Sequence, residues 1–165
     1  MIFAVLAVLA ASCTFLTMVL PTILGSVLVL ALLATGLRLA VVAWMLRTVN
    51  HNNGSVRRGL TVLCGTEVLF LTALAAGIPV DPHIDGGTIG WLSLVLWLVY
   101  GGASVYGGLN LIPAEGWVRG GGIAVAAAGG FWFTMIGLIV WPFAMAAGYL
   151  CFAMAGLKSG RSETV

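Results

Sequence analysis

Residues 57–78 read RRGLTVLCGTEVLFLTALAAGI: two arginines, then an apolar run long enough to cross a bilayer, with one carboxylate, Glu67, inside it. In hydrocarbon every backbone polar group must be bonded within the segment, so a run of this kind is a helix. The rest of the chain repeats the pattern. Of 165 residues, 61% are hydrophobic and 7% charged, against roughly 25% charged in a soluble domain. That composition excludes a soluble enzyme or a nucleic-acid-binding module. It marks an all-α integral membrane protein whose first partner is the lipid bilayer.

A crossing takes roughly 20 apolar residues, and Ile2 to Leu46 is about twice that. Proline and glycine between Pro21 and Gly25 favour a break, giving helices near 2–20 and 24–46. Helices near 60–78 and 91–109 follow. Gly120 to Leu157 is again too long for one crossing, and Trp141-Pro142 marks the expected turn between helices near 120–139 and 142–157. The expectation is a single six-helix transmembrane bundle over 1–157, with a short polar cytoplasmic tail at 158–165. The first segment has no basic start and runs directly into the second, which disfavours a cleaved signal peptide.

Orientation follows from the basic residues. With the N-terminus and C-terminus both cytoplasmic, the inner side receives Arg47, Arg57, Arg58, Arg119, Lys158 and Arg161, and the outer loops hold Asp81 and Asp85. Trp44 and Trp117 then fall near the inner ends and Trp91 and Trp141 near the outer ends, as interfacial anchors would. The expected setting is the inner membrane of a prokaryotic cell.

Two charges fall inside spans. Glu67 lies about 10 Å in from the cytoplasmic start of the third helix, and Arg38 about 12 Å in from the inner end of the second. Pairing at equal depth offsets the cost of burial. The pair is either a clip that fixes helix order, a proton or ion site, or a contact with a partner protein. On a helical wheel Glu67 shares its face with Leu60, Leu63, Cys64, Phe70, Leu71 and Leu74, while Thr61, Gly65, Thr72 and Ala76 lie opposite. Small residues permit close helix packing, so that opposite face is the expected packing face, and Glu67 is expected to point toward a bulkier seam or another subunit. Arg38, with Ala31, Ala34 and Thr35 on its side, is expected to face the bundle.

The fourth helix aligns Ser93, Trp97, Tyr100, Ser104, Gly107 and Gly108 on one face. That face either lines a narrow polar path or packs against a neighbouring helix, the commoner use of such residues. In the fifth helix Gly122, Ala126, Gly130 and Thr134, spaced by four, predict an intimate contact.

No metal or cofactor is expected. Asp81, His83 and Asp85 alternate in the loop 79–90, but three ligands without a fourth are equally a compact turn. His51 and His83 lie in loops and cannot ligate a haem within the spans. Cys13, Cys64 and Cys151 are isolated in apolar segments, with no C-x-x-C. No hydrolase, P-loop or dinucleotide fingerprint occurs, and catalysis is not expected. Two functional classes remain. One is a small multipass subunit that assembles with or stabilises a larger respiratory, transport or secretion complex. The other is a small channel or proton-coupled transporter, oligomeric in its own right, that uses Glu67 and Arg38.

Overall fold

The computed structural model describes residues 2–19, 27–48, 54–78, 88–134 and 137–162. These form six helices: α1 (Ile2–Val19), α2 (Val27–Thr48), α3 (Gly54–Ala75), α4 (Thr88–Leu111), α5 (Gly116–Trp132) and α6 (Gly137–Ser162). The described residues are otherwise turns. Four stretches, Val29–Thr48, Gly54–Ala75, Trp91–Leu111 and Val140–Leu157, are long and apolar enough to cross a membrane. The protein is therefore membrane-embedded and multipass. The 22 residues of α3 rise about 33 Å, a match to a hydrocarbon core of about 30 Å.

Each helix packs on the next, and α6 returns to pack on α1, so the six close into a ring. Neighbours approach closely because glycines sit at the crossings. Gly107 and Gly108 of α4 meet different neighbours: a Cβ on Gly107 would lie 2.6 Å from Leu63 of α3, and one on Gly108 would lie 2.5 Å from the Gly122 carbonyl of α5. Ser55 at the start of α3 donates to the Asn110 carbonyl at the end of α4, at 3.1 Å, which fixes the two helices as antiparallel. Helix α3 stops at Gly77, whose φ of 72° suits glycine and lets the Gly77 and Ile78 amides return to the carbonyls of Leu74 and Ala73.

Several expectations need correction. Helix α5 ends at Trp132 and α6 begins at Gly137, so the two divide between these residues and not at Trp141-Pro142. Both the amide and the hydroxyl of Thr134 donate to the Phe131 carbonyl at 2.9 Å and close α5 there. Pro142 lies inside α6. It sits in the second turn, where its missing N–H forfeits one bond near the helix start, and it is fully buried. Helix α3 begins at Gly54, before the two arginines, and α6 continues through 158–162, so that part of the expected polar tail is helical. Trp44, Trp91 and Trp117 are exposed, but Trp141 is 7% exposed and packs into the core, so it anchors no interface. The expected turn at 21–25 and the acidic loop with Asp81, His83 and Asp85 lie outside the described residues.

Candidate functional site

Glu67 does point into a seam of bulky side chains, and that seam lies inside the ring; the small face expected to make the tightest packing is the exposed one. Leu60, Leu63, Glu67, Phe70 and Leu74 are buried, whereas Thr61, Gly65, Thr72 and Ala76 are exposed. A charge in a membrane helix must reach polar partners, and they are all inside the ring. Small residues tolerate a close neighbour but do not require one.

Glu67 and Arg38 are each 3% exposed. Arg38 Nε donates to Glu67 Oε1 at 3.0 Å. The other two guanidinium nitrogens donate to threonines: Nη1 to Thr14 of α1 at 3.3 Å, and Nη2 to Thr35 of its own helix at 3.0 Å. Each threonine spends its hydroxyl proton on the carbonyl four residues back, Ala10 or Ala31. That leaves the hydroxyl oxygen free to accept from the cation. Two further donors meet Glu67 Oε1, the hydroxyls of Tyr100 on α4 at 3.3 Å and of Tyr149 on α6 at 3.2 Å. One carboxylate oxygen thus gathers donors from three helices. The other, Oε2, is buried and has no hydrogen-bond partner among the described residues.

Aromatic rings fill the space beside this hub. Trp132 and Trp141 lie 4.6 Å apart between centroids, and Tyr100 packs on Phe70 at 4.6 Å and on Trp132 at 5.3 Å. The Trp132 indole donates to the Trp97 carbonyl at 3.0 Å. The Trp141 indole N–H, like Glu67 Oε2, is buried without a partner among the described residues, and the Arg38 guanidinium lies 6.0 Å from the Trp141 ring. A buried ion pair in a dry interior is rarely stabilising overall, because desolvation cancels much of the attraction, but losing one partner costs about 3–5 kcal/mol.

The fourth-helix face divides. Ser93, Tyr100, Ser104, Gly107 and Gly108 are buried and Trp97 is half-buried. Tyr100 reaches the hub. Gly107, Gly108 and Ser104 meet backbone or side chains of α3 and α5, with Ser104 against Gly129, so this part of the face is helix contact. On α5, Gly122 and Ala126 meet Gly108, while Gly130 and Thr134 face outward. Sequence reasoning missed Tyr149, Thr14 and the inward Trp132 and Trp141. For Thr14 and Tyr149 the signal is a polar tip well inside an apolar helix; Trp132 and Trp141 lie toward helix ends, and only the packing turns them inward. Among the described residues no cluster of histidine, cysteine or carboxylate side chains could hold a metal ion.

Compared with protein-family models, curated proteins and solved structures, the chain shows no match.

Proposed function

We propose that the chain is a six-span membrane protein, both termini cytoplasmic, that moves a proton or a small polar solute through the centre of its own helix ring, with Glu67 as the titrating group and Arg38 as its counter-charge. The observation that carries this reading is the half-satisfied carboxylate on the ring's core. A purely structural clip is stable when every lone pair and donor is matched, whereas here, among the described residues, one acceptor, Glu67 Oε2, and one donor, Trp141 Nε1, are left over. Each is a group that a small neutral polar molecule could meet, the first by donating to it and the second by accepting from it. Because Arg38 balances Glu67, the hub has no net charge to attract an ion. A proton arriving at Oε2 removes the carboxylate's charge and turns an acceptor into a donor. Arg38 then loses its anionic partner, and the Tyr100 and Tyr149 hydroxyls hold a weaker acceptor, which frees the aromatic plug to rearrange.

Cytoplasmic termini are supported by Arg47, Arg57, Arg58 and Arg119, which stand at helix ends that share one side if the six helices run up and down. The subunit reading rests now on a different observation, the bare small-residue face of α3, where another chain's helix has room to pack.

The test uses proteoliposomes. Permeability to formamide and glycerol is read by light scattering after osmotic shock, and proton entry by a trapped pH-sensitive dye. Transport by the wild type that is lost in a folded Glu67→Gln variant supports the proposal. Liposomes no more permeable than protein-free ones, together with stoichiometric co-purification of other membrane chains, favour the subunit reading instead.

A further inference from the structure

The geometry points to a binding site for one anionic phospholipid, phosphate first, in a cleft at the arginine-bearing end of α3 and α4. The cleft is open on one side, has a volume of about 370 Å³ and is lined by Gly54, Arg57, Arg58, Thr61, Val62 and Tyr106. Both guanidiniums are exposed, and among the described residues the only ion pair is Arg38–Glu67, so neither has a carboxylate partner. Two adjacent like charges on one helix turn repel, and a shared anion relieves that repulsion. Basic pockets between transmembrane helices at the cytoplasmic surface take anionic headgroups, because the phosphate accepts several guanidinium hydrogen bonds at once. Exposed Tyr106 has the amphipathic ring that suits headgroup depth.

What favours a lipid over free phosphate is the rest of the wall. Val62 and the exposed Thr61, whose hydroxyl is spent on the Arg57 carbonyl at 2.8 Å, present an apolar side to the membrane. One turn further into the membrane lies Gly65 on α3, and on α4 Gly102 lies one turn beyond Tyr106. Both are exposed, and nothing stands within 4 Å of where a Cβ would be. A headgroup in the cleft therefore has open space beside it for an acyl chain.

Arg57 and Arg58 lie about 14 Å along α3 from Glu67, so the site takes from the proposed function only its cytoplasmic side and does not depend on transport. Native mass spectrometry of the full chain in detergent, titrated with dioleoylphosphatidylglycerol, provides the test. The expected result is one tightly retained lipid, not reproduced by dioleoylphosphatidylcholine. Arg57→Gln/Arg58→Gln should weaken retention by roughly fivefold per arginine, the effect expected of a charge at the headgroup. Arg119→Gln, outside the cleft but also exposed, should change it less than twofold. Gly65→Leu, which leaves the arginines alone, should weaken the long-chain lipid but not its deacylated headgroup. Equal retention of phosphatidylcholine, unchanged retention in the double arginine variant, or an equal loss in Arg119→Gln would overturn the site. Inorganic phosphate displacing the lipid at equal concentration would show an anion site without lipid specificity, and overturn the assignment to lipid.

Discussion

Helices α3 and α4 both carry a stripe of small residues, and the structure uses them in opposite ways. On α4, Gly107 and Gly108 are buried and meet α3 and α5 at backbone distance. On α3, Thr61, Gly65 and Thr72 are bare. The difference teaches which force sets helix rotation. Turning α3 to bury its small face would carry Glu67 into lipid, at roughly 2.5–3.5 kcal/mol even on the lenient insertion scale. Gaining a closer helix contact is worth less. Helix α4 has no charge to satisfy; its one group tied to the hub, Tyr100, lies on the same side as its glycines, so the two demands agree.

Variants that break this contrast should rank accordingly. Glu67→Ala leaves Arg38 buried and uncompensated, and should lower the stability of the detergent-solubilised protein by about 3–5 kcal/mol. Replacing both partners, Glu67→Met with Arg38→Met, should restore much of that loss, as a double-mutant unfolding cycle would read out. Gly108→Ala should cost about 1–3 kcal/mol, because its Cβ would sit 2.5 Å from the Ala126 nitrogen and the Gly122 carbonyl, neither of which is a flexible side-chain end. Tyr149→Phe removes one donor to the carboxylate, at about 1 kcal/mol in thermal unfolding. Gly65→Ala, on the bare face, should be neutral or stabilising by up to about 1 kcal/mol, since alanine is the better helix former and nothing is in its way. A loss at Gly65 as large as that at Gly108 would mean that the two stripes are not used differently after all.

Much of this arrangement was legible from residues alone. Arg38 and Glu67 stood out because charges in apolar runs are rare, and counting residues from the helix ends put them at one depth. The antiparallel pairing of α2 and α3 brings equal depths together, and the side chains meet at 3.0 Å. The rotation of α3 was not legible by the small-residue rule. That rule describes what a face permits, whereas the charge dictates what a face needs, and the partners Tyr100 and Tyr149 come from distant parts of the chain. Pro142 misled for a similar reason. Proline marks a helix break or a position near a helix start, and only the Thr134 bonds to Phe131 show where the chain turns.

The central claim is that the charged side of α3 faces the ring and its small side faces lipid. Oxygen-induced relaxation of nitroxide spin labels tests it most directly, at Gly65 and Thr72 against their chain neighbours Thr66 and Ala73, with Cys13, Cys64 and Cys151 replaced. Neighbouring positions share a depth and differ only in facing. Strong oxygen relaxation at 65 and 72, and weak relaxation at 66 and 73, is the predicted result. The reverse pattern would put Glu67 on the outside and contradict both the hub and the function built on it.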